Sequence, residues 1–400
     1  MISNLRCSLD YASNWEIRGG VWRYGVELSK ALVDWLGPEY VSLPCFDILP
    51  EERLQELKAT GAKVANNGIY RYYDRLQSMQ QRNGRFIPWK KVLPWFYGPH
   101  LQNRLFQKGV GKAQVYHALF TCRGKPACGV TVGTIHDLIP LLHAKDAGFE
   151  KERFLSILED FRRWATLIIV PSQATRDDLA KHGWFPSEKI RVVYHGIDHT
   201  RFHSQVDFPD DLLKQHQLQP GQFLLYVGAV ERRKNIERLL EAHRWAVAER
   251  IDLPLVIAGA VVHEIPAFQQ ARSDRSGRVK YIGYVSDKDL PGLYRAARGL
   301  LHVALAEGFG FTPLEAMACG TPVIASRQTA TGEIVSQGGE LVNAYQVDEI
   351  AEAIRRLLID NDWHRDLSQQ GLQHARQFTW RRCAEATYAV YQEAWQRGHP

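Results

Sequence analysis

The chain has 400 residues, 45% hydrophobic and 24% charged, with a formal net charge of +6. That is enough apolar material for two cores of ordinary size in a soluble globular protein. The modest positive balance does not by itself call for nucleic acid, and it fits an anionic substrate or an anionic membrane surface. Six scattered cysteines form no C-x-x-C pair, which argues against zinc and reads as reduced cytosolic thiols. The N-terminus lacks the apolar core of a signal peptide. No run approaches the roughly 20 apolar residues of a spanning helix. The expected location is cytoplasmic, soluble or peripheral at a membrane face.

In chain order, a strand is expected at 5–9 and a helix at 21–36. Strands follow at 115–118 and 130–135, a helix at 149–164, a strand at 167–170, a helix at 173–182 and a strand at 191–193. The polar, proline-containing stretch 199–221 reads as a linker. Beyond it come strands at 222–227, 254–258, 279–285, 300–305 and 322–325, with helices at 235–249, 287–297 and 313–319 between them. Short continuous apolar runs alternating with helices are the pattern of parallel sheets covered on both faces. Two doubly wound α/β domains with a hinge near residue 205 follow, and ligands should sit beyond the carboxyl ends of the strands.

Two acids stand out in 307-EGFGFTPLEAMACGTPVIAS-326. Thr312-Pro313-Leu314-Glu315 has the form of a capping box, which alone accounts for Glu315. It leaves Glu307 without a structural duty, and neither acid has a basic residue close by in this stretch. In 227-VGAVERRKNIERLLEA-242, Arg232, Arg233 and Lys234 fall in a loop at the carboxyl end of a strand. A pyrophosphate bound there would meet them; a solvated basic loop is the plain alternative. Asp287-Lys288-Asp289 could suggest a metal, but Ser286 with Asp289 reads better as a helix cap.

The twenty-residue run from Glu307 closely resembles the donor-site motif of family 4 retaining glycosyltransferases, which have the GT-B fold of two Rossmann-like doubly wound domains facing across a cleft. That resemblance implies that Glu307 contacts sugar hydroxyls and Glu315 the ribose of a nucleotide. It also implies that the backbone of Phe309, Gly310 and Phe311 meets the phosphates, where glycine and a helix N-terminus both suit an anion. The G-x-x-E-x-R-K-N pattern resembles the family segment whose Arg and Lys, here Arg233 and Lys234, neutralise the leaving diphosphate. The base is placed near Tyr284 and Val285. In the first half, H-D-L-I-P resembles the family's cleft histidine, here His136, with Asp137 orienting it or capping the next turn. Gly19 and Gly20, before Arg23 and Tyr24, resemble the family's glycine entry whose amides approach the donor phosphates.

By that resemblance the domains are 1–205 for the acceptor, 206–378 for the donor, and a C-terminal helix at 379–400 that crosses back. The strings look most like mannosyltransferases of bacterial surface-polysaccharide assembly. This implies a nucleotide-sugar donor, GDP-mannose first, and a saccharide or lipid-linked saccharide acceptor, with no cofactor or metal. UDP-sugars, a GT-B-type sugar-nucleotide epimerase and a non-enzymatic membrane-surface adaptor remain open. The segment from Ile69 to Lys108 interleaves basic and aromatic residues. It reads as core packing with a basic outer face, or as contact with an anionic membrane carrying the acceptor. Nucleic acid finds no further support.

Overall fold

A computed structural model of the protein describes residues 5–10, 19–45, 50–66, 99–127, 129–143, 151–247, 253–274 and 276–399. The apolar runs become strands of two separate sheets. The first contains β1 (Cys7–Asp10), β2 (Val41–Cys45), β3 (Lys63–Asn66), β4 (Val115–Ala118), β5 (Val130–Thr134), β6 (Leu167–Val170) and β7 (Ile190–Val192), in the order β3-β2-β1-β4-β5-β6-β7. The second contains β8 (Leu224–Val227), β9 (Leu255–Ala258), β10 (Val279–Gly283), β11 (Gly299–His302), β12 (Val323–Ser326) and β13 (Glu340–Val342), in the order β10-β9-β8-β11-β12-β13. Their pairings are parallel, with Cys7 opposite Val115 and Leu225 opposite Leu300. Strands β4, β5, β6, β9, β11 and β12 are buried along their whole length. Helices cover both faces, so these strands need apolar residues at every position and do not alternate.

The order in which the chain adds strands reverses once in each parallel sheet, between β1 and β4 in the first and between β8 and β11 in the second. Such switch points open a crevice beyond the strand ends. Gly19 follows β1, His136 follows β5, Arg233 and Lys234 follow β8, and Glu307 follows β11. The topology therefore gathers the residues singled out in the sequence at the carboxyl ends of both sheets.

The polar stretch 199–221 contains no strand, yet it is not a bare tether. It forms a short helix, Asp210–Gln215, and buries Phe202, Leu213 and Leu218 in the core of the second sheet. The last helix, Trp380–Gly398, is capped by Thr379, whose side chain accepts from the Arg382 amide at 3.2 Å. It leaves the second sheet and packs on the first. Tyr388 accepts from the Leu5 amide at 2.8 Å, and Tyr391 meets His117 at 2.7 Å. The outgoing and returning chains touch where they cross. Ile197 and Thr379 form a parallel bridge, and the Ile197 amide donates to Phe378 at 3.1 Å. Gly196 permits this contact, because a Cβ there would lie 2.2 Å from the Trp380 nitrogen.

Among the described residues no helix is long and apolar enough to cross a membrane. Most of the basic-aromatic segment, residues 69–98, lies outside the described residues. Its end belongs to the helix Pro99–Val110, which buries Phe106 and Val110 and leaves Lys108 exposed.

Candidate active site

The half of the site on the second sheet is set by Asn235. This residue adopts the left-handed conformation, φ 61°, which asparagine tolerates better than most residues. Its side-chain amide donates to Val303 at 3.0 Å and Ala344 at 2.7 Å, tying the loop after β8 to the segments that follow β11 and β13. The single turn Arg232–Lys234 is thereby fixed. Arg232 faces solvent, while Arg233 and Lys234 turn inward. Lys234 pairs with the Glu307 Oε2 atom, and Arg233 reaches the same oxygen at 3.2 Å. Arg233 also pairs with buried Glu231 at 2.6 Å.

This corrects the expectation of bare acids. Burial raises the proton affinity of Glu307, but Lys234 and then Arg233 outweigh it and hold the carboxyl at about 2. The neutralising cations are 73 and 74 residues away in sequence, which is why no local pattern reveals them.

Glu315 departs from expectation as well. The helix begins at Phe311 with Gly310 in the capping position, and no side chain caps it. The capping box is absent because Glu315 turns inward. It pairs with Arg23 from the first domain and accepts from Tyr294 at 3.1 Å. Burial raises its pKa, and Arg23 opposes that shift. The caps near Asp287 are closer to expectation. Ser286 donates to the Asp289 carboxylate at 2.7 Å and accepts from its amide at 3.2 Å, in the turn before helix Leu290–Ala296. Asp287 pairs with Arg201 at 3.1 Å.

The two halves meet at Gly308. A Cβ there would lie 2.7 Å from the His136 carbonyl and 2.8 Å from the Asp137 Cβ, so only glycine admits this approach. The Gly308 carbonyl accepts from Ser172 at 3.0 Å. Phe309 is buried and Phe311 lies against Gly20. Both rings pack on His195, with the Phe311 ring stacked at 5.4 Å between centroids. Gly19 precedes helix Gly20–Leu36 with φ 119°, a conformation that favours glycine. Glu333 of the second domain accepts from the amides of Gln173 at 2.8 Å and Ala174 at 3.0 Å, capping helix Gln173–Lys181 of the first.

His136 donates from Nε2 to the Leu119 carbonyl at 3.0 Å, since a carbonyl can only accept. Burial lowers its pKa to about 4, so the ring is neutral and presents Nδ1 as an acceptor. Asp137 does not orient it; Oδ1 accepts from the Ile139 amide at 2.9 Å and caps the next turn. Burial raises Asp137 to about 6. Tyr284 and Val285 separate in role. Val285 is in the core, whereas Tyr284 is 77% exposed at the end of edge strand β10, two strands from β8. Sequence reading missed the contributions of Glu231, His195, Arg23, Glu333 and His302. Arg23 and His195 at least sat beside recognised strings or a strand end; Glu333 carried no signal.

Four buried histidines predict an acid response. Burial lowers His117 to about 3, His136 to about 4, His302 to about 3, and His195 well below its ordinary value. Below pH about 6.5 the unfolded chain takes up protons that the folded chain refuses, so their stabilisation is full above that pH and lost beneath it. His117, His136 and His302 each cost about 2 kcal/mol by pH 5, and His195 acts in the same direction. The raised Asp137 and Glu315 offset only part of this. Calorimetry should show Tm falling steadily from pH 7 to pH 5, and a flat profile would contradict neutral burial of these rings.

Comparison with known proteins bears directly on this cleft. Residues 18–201 match the family model described as Glycosyltransferase Family 4, and residues 210–374 the one described as Glycosyl transferases group 1. Over 386 residues the chain is 33% identical to the O-antigen chain mannosyltransferase B of Escherichia coli, covering 93% of this chain and 95% of that protein. The chain is a family 4 glycosyltransferase. This glycosyltransferase is also 28% identical over 266 residues to the serotype-specific mannosyltransferase WbdA of E. coli, covering 62% of itself but only 32% of WbdA. Its fold matches Anabaena HepE, solved in complex with UDP and glucose, with a TM-score of 0.70 at 18% identity, covering 97% and 100% of the two chains. The glycosyltransferase thus has the GT-B fold, with its paired acids and cations at the cleft between the sheets.

Proposed function

We propose that this glycosyltransferase moves a hexose from a nucleotide donor onto a saccharide or lipid-linked saccharide acceptor in bacterial surface-polysaccharide assembly. We take the donor to be GDP-mannose and the anomeric configuration to be retained. The nearly end-to-end relative named as an O-antigen chain mannosyltransferase supports the donor and the setting. The chemistry is supported above all by Glu307, which holds Lys234 and Arg233 beside the glycine that packs on the His136 loop.

In this reading the donor exchanges partners inside the site. Its diphosphate takes Lys234 and Arg233, and Glu307 turns to the sugar hydroxyls. The ribose takes Glu315 from Arg23, and exposed Tyr284 offers its ring to the base. Amides at Gly19, Gly20, Phe309, Gly310 and Phe311 face the phosphates. Neutral His136 accepts from a sugar hydroxyl at Nδ1. The anomeric carbon–oxygen bond to the diphosphate breaks as the acceptor oxygen bonds on the same face. The acceptor proton passes to the departing phosphate. The scheme calls on no covalent nucleophile, metal or cofactor, since each preorganised cation or amide contributes about 3 kcal/mol toward the leaving charge.

A thermal-shift screen against GDP, UDP, ADP and their sugars tests the donor. GDP and GDP-mannose should raise Tm, because ligand at a hundred times Kd stabilises by about 2.7 kcal/mol. Stabilisation by UDP or a UDP-sugar with GDP silent would overturn the donor assignment. Proton NMR of the first product then reads the anomeric configuration.

A further inference from the structure

His302, the last residue of β11, has no work in the scheme above. It is 2% exposed, and neither ring nitrogen has a hydrogen-bond partner among the described residues. Its neighbours Leu300, Leu301 and Val303 are fully buried aliphatics. A leucine at this position would fill the space without the penalty of about 1–3 kcal/mol for an unpaired buried polar group. The ring is not aimed at random. Its Nε2 lies 4.0 Å from Glu307 Oε2, the oxygen that Lys234 and Arg233 hold. That distance is too long for a hydrogen bond and short enough for a side-chain shift of about 1 Å to make one. Burial keeps the imidazole neutral, so it does not compete with Lys234 as a third cation, and it has one N–H to give.

We propose that His302 is a positioning residue that takes over Glu307 Oε2 when the donor diphosphate draws Lys234 and Arg233 away. The inference rests on the reading in which those cations move to the diphosphate. At that moment Glu307 would hold a negative charge in a half-buried site with no donor on that oxygen. The His302 N–H closes the gap, fixes the carboxylate plane and leaves Oε1 directed at the sugar. No proton is transferred. The unpartnered ring and the carboxylate that gives up its cations are therefore partners that meet in the donor complex, where their hydrogen bond assists turnover.

The test compares His302→Leu and His302→Gln in the full chain, by Tm, GDP affinity and steady-state kinetics. For His302→Leu, Tm should equal or exceed that of the parent, and Kd for GDP should rise several-fold, because the bond forms as the diphosphate takes the cations. Its kcat should fall about tenfold or more, the loss of one good hydrogen bond to a charged group. His302→Gln, whose amide can still donate, should recover part of kcat. A purely structural ring gives the opposite pattern, a lower Tm with kcat per folded molecule intact. Parental kcat in His302→Leu, or equal losses in both variants accompanied by lower Tm, overturns the proposal. If Glu307→Gln retains turnover, the site reading itself fails; if Glu307→Gln is inactive and His302→Leu is not, only this inference falls.

Discussion

Glu307→Gln is expected to lower turnover about a thousandfold or more while the protein still folds, a loss comparable to that of a principal charge-stabilising group. Glutamine keeps one oxygen toward the cations and fills the same space, but it cannot hold the charge that orders Lys234 and Arg233. Nor can it accept strongly from two sugar hydroxyls. Glu307→Ala is the poorer variant, although the sequence alone gives this acid no structural duty and so suggests that the fold would tolerate its loss. It leaves largely buried Lys234 without its partner and Arg233 with Glu231 alone, and breaking a buried pair from one side costs about 3–5 kcal/mol. Radiolabelled-sugar transfer gives the rate, and a calorimetric melt shows how much fold remains. Parental turnover in Glu307→Gln would remove the acid from the site.

Lys234→Met is expected to weaken nucleoside diphosphate binding about tenfold to a hundredfold, as loss of a charge-assisted contact to phosphate does. Methionine retains the aliphatic stem that lies buried beneath the loop after β8. Glu307 keeps Arg233 as a partner, so the melt should shift less than in Glu307→Ala. The transfer rate should fall as well, because in the proposed scheme the same cation meets the developing charge on the leaving group. Isothermal titration with GDP reads the affinity directly. An unchanged Kd would mean that the lysine serves Glu307 alone and that the diphosphate lies elsewhere.

The second domain was legible because its strands are central and apolar. The run LLYV of β8 and the run GLLH of β11 are buried throughout or nearly so. The less regular margin was not legible. Strand β2 contains Pro44, strand β13 has three residues, and neither offers a long apolar run. The site was legible as a set of residues and not as a set of contacts. Glu307, Arg233, Lys234 and His136 do converge beside Gly308. Their pairing depends on the order of strands in space, which local spacing does not encode. The false capping box at Thr312 shows the same limit. The local pattern was satisfactory, but a buried carboxylate gains more from Arg23 and Tyr294, 292 and 21 residues away, than from its own helix end.

The crossing at Gly196 has a mechanical consequence. Two covalent connections run between the domains, and they are bonded to each other at Ile197 and Thr379. A body held to another at one such seam swings like a door on its pin; it does not slide or twist freely. Displacement then grows with distance from the seam. The rings of His195 and Trp380, which flank it and stack on each other at 6.3 Å, travel least. Glu333 adds a further tie beside the seam, since it accepts from Tyr194, the neighbour of His195, at 2.7 Å as well as from the helix it caps.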